Sequence, residues 1–524
     1  MSKELRKMES FEQVKVNLLG RMIDPKRKEN KALLCGDSAI SYGALDKKSC
    51  RYGNALKKFG VRNRDRVLML VRDKPEFFYF YLGLMRIGAI PVALNYRLTS
   101  ADIAFIIKNS ESNLFILEDC FKEIFLEAIK LSNSKIDSIV FDPDEESPSR
   151  FSDLVMDADE TLEVLVPSLE DEAFWMYSSG TTGKPKGVIH SYRTLLASKR
   201  YFGEVLKIGP GDRVYSTSKL FFAFSLAHSF FSSLTLGATV ILDPDWPDPE
   251  SVSKNIDLFR PTVVLSVPTL YRNLIRGGFA EHPNFKMVKY YLSAGEKMPE
   301  NILSKWQLLT GCPVLESIGA TETCFLFLSN FPNKKQVGTC GVPTPGTKVK
   351  ILDEDGVEIV ESKHIGTLWV KMESVALGYW RLEEKTKEVF RNGWYCTNDM
   401  FCINDDGMFE HQGRTDDMLK ISGQWVSPSE IEEKVLEEPE VLEAAVVGVP
   451  NEDGLIRLAL FVVAPQISGS EEGFEKKLID RLSSELSIYK CPRKIFYRES
   501  LPQTATGKLQ RFELRKMVME NQTF

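Results

Sequence analysis

Eleven residues, Tyr177-Ser-Ser-Gly-Thr-Thr-Gly-Lys-Pro-Lys-Gly187, carry the strongest chemical signal in the chain. Gly180, Gly183 and Gly187 let the backbone turn sharply and approach a ligand closely. Ser178, Ser179, Thr181 and Thr182 add hydroxyl donors, and Lys184 and Lys186 add cations. Clustered N–H and O–H donors beside cations are what a polyphosphate requires. No GK[ST] follows at the spacing of a Walker A loop. A lysine-bearing surface loop would share the glycines but has no need of the whole string.

SSGTTGKPKG resembles the phosphate loop of the adenylate-forming superfamily, which holds acyl-CoA synthetases, adenylation domains of peptide synthetases and firefly-type luciferases. Further segments match that family in order: ESIGATE (316–322), GTCGVPTPG (338–346), GWYCTND (393–399), GRTDDMLKISGQWVSPSEIE (413–432) and LPQTATGKLQR (501–511). Within it, SKLFFAF (218–224), SAGEKMP (293–299), SGQWVSP (422–428) and TATGKLQRF (504–512) are most similar to the benzoate-type CoA ligases.

The resemblance implies a role for each matched position. Ser178, Ser179, Gly180, Thr181, Thr182, Gly183 and Lys186 would cradle the ATP phosphates. Glu322 would hold Mg²⁺ beside them, since magnesium takes one or two carboxylates with phosphate and water. Thr321 would hydrogen-bond the α-phosphate; a Thr-Glu pair also suits a helix N-cap and first-turn acid. Lys508, beside the flexible Gly507, would bridge carboxylate and α-phosphate during adenylation and neutralise transition-state charge. Ala294, Gly295, Glu296, Glu316 and Ser317 would line the adenine. Asp399 would accept from the ribose hydroxyls, with Arg414 assisting. Asp416 would be the hinge on which a small domain rotates, and Gly423 would let the pantetheine arm of CoA pass. Phe222, Phe224 and Val337 would wall the acyl pocket. In an extended stretch, Phe222 and Phe224 would share one face.

Three positions depart from the pattern. The usual TGD is TND, and Asn398 tolerates left-handed backbone angles better than most residues. Phe224 stands where benzoate ligases tend to have Tyr, and Val337 where they tend to have His. Both changes remove a polar group, which makes the wall less suited to a ring bearing a hydroxyl.

The elements that must position these residues are legible as patterns. RVLML (66–70), a helix over 76–87 capped by Gly88, and AIPVAL (89–94) form a βαβ unit with parallel pairing. SNLFIL (112–117), ATVILD (238–243), PTVVLSVP (261–268) and VKYYLSAG (288–295) repeat the pattern, as strands buried on both faces do. Residues 220–242 carry no charge and are long enough to span a bilayer. Six serine, threonine and histidine residues and Gly237 interrupt them, which favours a buried helix followed by a buried strand. From about 338, turn residues between alternating strands indicate a β-rich subdomain. An acidic helix near Ser429, two apolar strands, a helix near 474–486 and a lysine-bearing end make a last unit of separate character.

The expected fold is α/β: a large N-terminal domain of layered α/β subdomains plus a β-rich subdomain over 1–413, and a small mobile C-terminal α/β domain over 417–524. With 524 residues, 43% hydrophobic and 27% charged, the chain has the profile of a soluble globular protein. A formal charge of −6 offers no global field for nucleic acid or anionic membrane. Nine cysteines without a CxxC pair and a charged N-terminal stretch point to a reducing, cytoplasmic setting. The expected activity is an AMP-forming acid–CoA ligase using ATP, Mg²⁺ and coenzyme A on an aromatic acid, compatible with a homodimer. A medium-chain or branched fatty acyl-CoA synthetase, an adenylating enzyme that loads a carrier protein, and a nucleotide sensor without catalysis are the alternatives. The sensor would have no need of Lys508, Glu322 and Thr321 together. The lack of a carrier segment after Phe524 favours CoA.

Overall fold

The computed structural model describes residues 20, 22–142, 150–163, 165–179, 184–415, 417–421, 424–450, 456–465, 467, 470–487, 490–503 and 509–520. Packing divides the chain into two compact units. The first is Met1–Val349 with Val370–Tyr395, and the second is Lys350–Trp369 with Cys396–Phe524. Residues 350–369 and 396–413, which the motif pattern puts with the N-terminal domain, therefore pack with the C-terminal one. Among the described residues no helix is long and apolar enough to cross a membrane.

Two large sheets organise the first unit. In the seven-stranded sheet, Arg66–Leu70 pairs in parallel with Ile90–Ala93 and with Leu114–Glu118, as the βαβ pattern requires. The helix between them, Pro75–Arg86, is buried from Phe77 to Arg86, so it is covered on all sides. It lies close to the helix Tyr42–Phe59 because two glycines meet. A Cβ at Gly83 would stand 2.9 Å from the Gly53 nitrogen, so a larger residue would force the helices apart. One edge of this sheet turns antiparallel, where Glu172–Ser179 pairs with Pro185–Ser191, and Pro185–Ser191 with Gly378–Tyr379.

The nine-stranded sheet runs in parallel through Val314–Gly319, Tyr290–Ser293, Val263–Ser266, Arg213–Ser216, Thr239–Leu242 and Lys31–Cys35. The uncharged stretch is a buried helical run, Ala223–Ser225, Leu226–Ser232 and Ser233–Leu236, which ends at Gly237 with φ +83 before the strand Thr239–Leu242. Phe230 from this run stacks on Phe78 at 4.4 Å, so the run is core rather than a membrane span.

The second unit holds the three-stranded sheet of Glu443–Pro450, Ile456–Val463 and Lys494–Tyr497, with the helices Pro428–Val435, Glu471–Glu485 and Arg511–Glu520. The strand Phe409–Arg414 pairs antiparallel with Trp394–Ile403 in a separate five-stranded sheet.

In the first unit, Asp73 follows the strand Arg66–Leu70 and is 4% exposed. Its carboxylate oxygens accept from the Leu220 N–H at 3.1 and 3.2 Å, which fixes the start of the Leu220–Phe224 segment. Burial pushes the Asp73 carboxyl up to about 7; the Lys219 charge opposes this, while Asp243 and Glu118 add to it. The folded pKa thus lies above the unfolded one. The stabilisation is full below the unfolded value of 3.8 and is lost as pH rises through the folded value. Asp73→Asn keeps an acceptor for Leu220 and cannot ionise. The melting temperature of the wild type is expected to fall between about pH 5 and about pH 8 by more than that of the variant. Parallel curves would clear Asp73 as the cause.

Candidate active site

Ser178 and Lys186 are register partners near the tip of the antiparallel hairpin, on the two legs that flank the glycine-rich segment. The Ser178 Oγ is buried and has no hydrogen-bond partner among the described residues, as befits a donor reserved for a ligand. The Lys186 Nζ lies 4.6 Å from the centre of the Tyr379 ring. Ser179 closes the first leg, its side chain lies outside the described residues, and so do Gly180, Thr181, Thr182 and Gly183.

The Tyr379 hydroxyl donates to the Glu322 Oε1 at 2.7 Å. The Glu322 carbonyl accepts from the Ala376 N–H at 2.8 Å. Thr321 and Glu322 are not at a helix start: they stand in a turn between the strands Val314–Gly319 and Leu326–Ser329. The Thr323 hydroxyl closes that turn against Ala320, accepting from its N–H and donating to its carbonyl, both at 3.1 Å. Glu322 is buried and Thr321 is half-buried.

His190 belongs to this site and carries no role in the motif pattern. Along a strand, alternate residues share a face, so His190 stands on the side of Lys186. Its Nε2 lies 2.8 Å from the Thr321 carbonyl and its Nδ1 3.3 Å from the Thr194 Oγ1. The ring stacks on Phe174 at 4.9 Å. Burial pushes its pKa down to about 4, against the pull of Thr321, Glu322 and Ser374. A carbonyl can only accept, so the neutral ring carries its proton on Nε2.

Of the residues expected to line the adenine, Ala294 is buried, and Gly295 has φ +96 with open space where a Cβ would stand. Glu296 is exposed. The buried Glu316 turns its carboxylate inward, accepting from the Met298 N–H at 3.4 Å and the Gly338 N–H at 3.3 Å. It thereby ties Met298, two residues past Glu296, to Gly338 of the glycine-rich turn. Ser317 pairs with the Ser329 hydroxyl at 2.7 Å.

The acyl wall differs from an extended strand. Phe222 is the N-cap of a helical turn and Phe224 lies within it, so the two rings diverge. Phe222 packs on the core that holds Phe221 and Leu226. Phe224 packs on the cluster that holds Ala294, Phe202 and Leu326. Val337 is 48% exposed.

In the second unit, Asp399 and Arg414 face each other across paired strands. The Asp399 Oδ1 lies 3.6 Å from the Arg414 Nε and 3.4 Å from the His411 Nε2; His411 had no signal in the motifs. Asn398 has φ +55, so the left-handed turn of the usual TGD survives the substitution. Lys508, Asp416 and Gly423 lie outside the described residues. The flanks of Lys508 are tied down: Gln503 bridges Leu509, and the Gln510 N–H donates to the Pro502 carbonyl at 2.9 Å. Arg511 then pairs with the buried Glu432 and donates to the Val446 carbonyl at 3.1 Å.

Among the described residues no group of three or more His, Cys, Asp or Glu is arranged to hold a metal. One held carboxylate, an unpaired hydroxyl and a cation instead fit a nucleotide whose phosphates supply most ligands of any magnesium. The comparisons agree with that chemistry. The family model for AMP-binding enzymes matches residues 24–380, and that for the AMP-binding enzyme C-terminal domain matches 430–508. The chain belongs to the AMP-binding enzyme family. It is 42% identical over 520 residues to a 3-hydroxybenzoate–CoA/4-hydroxybenzoate–CoA ligase of Thauera aromatica, covering 99% of each chain. An anthranilate CoA ligase in complex with anthranoyl-AMP superposes with a TM-score of 0.89 at 30% identity, over 96% of this chain and 98% of that one. A benzoate CoA ligase from Burkholderia xenovorans LB400 gives 0.85 at 32% identity, over 95% and 100%. The chain is thus an acid–CoA ligase of the AMP-binding family.

For such a ligase, His190 holds the Thr321–Glu322 turn. Removing the partner of a buried carbonyl costs about 1–3 kcal/mol, roughly ten- to a hundredfold in rate if the transition state bears it all. His190→Leu is expected to lower kcat of acid-dependent ATP–pyrophosphate exchange by that order, with KM for the acid little changed. His190→Gln, whose amide can still donate, is expected to retain more. Equal kinetics in both variants and the wild type would remove His190 from the site.

Proposed function

We propose that this chain is an ATP-dependent aromatic acid–CoA ligase acting on benzoate-type acids. The observation that carries the proposal is the identity with a hydroxybenzoate–CoA ligase along nearly the whole of both chains. In the first step the acid's carboxylate attacks the α-phosphate of ATP, the bond to pyrophosphate breaks, and an acyl-adenylate forms. In the second the CoA thiol attacks the mixed anhydride and AMP leaves. Splitting the condensation lets each displacement have a good leaving group.

Thr321 donates to the α-phosphate, and its carbonyl is fixed by His190. Glu322 is the carboxylate for Mg²⁺, which would neutralise phosphate charge. Ser178 and Lys186, with Gly180–Gly183, hold the polyphosphate; Gly295 leaves room for the adenine base; Asp399 and Arg414 take the ribose. Lys508 bridges carboxylate and phosphate in the first step and leaves before the second. Asp416 is the hinge of a mobile domain over 417–524, and Gly423 gives the pantetheine arm passage. The rotation lets one cavity serve both steps. None of the nine cysteines is in a disulfide, which supports a cytoplasmic, reducing setting.

Pyrophosphate release measured for benzoate, hydroxybenzoates and medium-chain fatty acids, with and without CoA, tests the reading. Faster turnover of fatty acids would overturn the aromatic assignment, and indifference to CoA would turn the acceptor toward a carrier protein. Lys508→Ala is expected to lower acyl-adenylate formation by about a hundredfold or more, the scale of losing a preorganised transition-state charge. Thioester formation from supplied acyl-adenylate should stay near wild type. Equal loss in both half-reactions would mean that Lys508 does not leave between them.

A further inference from the structure

His228 lies in the uncharged helical run and is 1% exposed. Neither ring nitrogen has a hydrogen-bond partner among the described residues. That is rare for a fully buried polar side chain and costly unless something else supplies the bonds. The nearby Ser225 Oγ is buried and unpartnered in the same way. Burial pushes the His228 pKa down to about 3, so the ring is neutral and offers one donor and one acceptor.

Three aromatic rings surround the imidazole. Phe202 stacks on it at 4.8 Å, Phe325 meets it edge-on at 5.4 Å, and Phe224 edge-on at 5.9 Å. Phe325 belongs to the turn that carries Thr321 and Glu322, and Phe224 to the proposed acyl wall. His228 therefore stands between the reacting end of the site and the wall for the acid. Of the three rings, Phe224 alone is part-exposed, so it is the side from which a ligand reaches the imidazole. His228 and Phe202 each sit in a π-helical segment, Leu226–Ser232 and Arg200–Val205. Such segments are rare and gather at functional sites.

We propose that His228 is a specificity residue that hydrogen-bonds a ring hydroxyl of the aromatic acid. The inference rests on the aromatic reading above. A phenolic O–H both donates and accepts, which matches the two nitrogens of a neutral imidazole. The surrounding phenylalanines suit the ring that bears it. Benzoate itself and an alkyl chain have nothing to pair with His228.

The test is kcat/KM for benzoate, 3-hydroxybenzoate, 4-hydroxybenzoate and 2-aminobenzoate in the wild type, His228→Leu and His228→Asn. The wild type is expected to prefer one hydroxybenzoate over benzoate. His228→Leu should reduce that ratio about tenfold or more, the scale of a lost hydrogen bond in a buried site. His228→Asn, which keeps a donor and an acceptor, should reduce it less. Each variant carries its own control, because the ratio compares two acids in one enzyme; if His228→Leu is insoluble, the His228→Asn ratio decides. An unchanged ratio, a uniform loss for all acids, or a wild-type preference for benzoate or the amine overturns the assignment to a hydroxyl. A wild type that activates fatty acids and no aromatic acid overturns the aromatic reading itself.

Discussion

The hydrogen bond from the His190 ring to the Thr321 carbonyl ties together the two large sheets of the first unit. His190 stands on the antiparallel edge of the seven-stranded sheet, and Thr321 on a turn of the nine-stranded one. In the proposed function a phosphate loop on one sheet and the Glu322 carboxylate on the other serve one ligand, which requires the two sheets to be held in register. The ring's burial matters as much as its position. A charged imidazolium beside Glu322 would compete with a bound cation for the carboxylate's field. Desolvation removes that competitor and leaves a neutral donor with a fixed tautomer. Tyr379 completes the arrangement, because its strand pairs with the His190 strand while its hydroxyl holds Glu322.

The second unit solves a different problem with charged pairs. The buried Asp399, proposed to take the ribose, keeps Arg414 and His411 within 3.6 Å. Asn398 shows how the turn before it tolerates a side chain: the left-handed angle is met, and the amide oxygen accepts from the Cys396 thiol at 3.4 Å. At the other end, the pairing of Arg511 with Glu432 fixes the chain directly after the lysine-bearing segment. Ion pairs with so little exposure lose heavily when one partner is removed. They are suited to anchoring the root of the segment proposed to carry the catalytic lysine.

The strands were legible because strands buried on both faces are continuous runs of Val, Ile and Leu, as in RVLML and TVVLS. The uncharged stretch was legible as helix and strand because Gly237 divides it. Three features were not. The Thr-Glu pair suits a helix N-cap, yet the Thr323 hydroxyl closes a turn there instead, and a local pattern cannot tell the two apart. Phe222 and Phe224 share a face only in an extended chain; a helical turn between them sends them to different cores. The units divide at residues 350–369 and 396–413 against the motif boundaries, because motifs follow ligand contact whereas packing follows apolar surface. His190 had a visible signal, its alternation with Lys186 along one strand. His411 had none, since its partner is set by strand register.

The proposed wall for the acid shows why single positions mislead about polarity. Phe224 and Val337 each lack the polar group common in benzoate-type ligases, and by themselves they describe a greasier site. A helical run moves residues onto a shared face by turns rather than by alternation, so a polar group lost at one position can return several residues on. His228 stands four residues after Phe224, with its ring against the same phenylalanine and both nitrogens without a partner among the described residues. A histidine placed for packing alone would be an expensive choice there, since leucine or phenylalanine fills such a space without stranding two polar atoms. His190 makes the contrast sharp within one molecule. Equally buried and equally neutral, it spends both nitrogens on the protein, whereas His228 spends neither on the described residues.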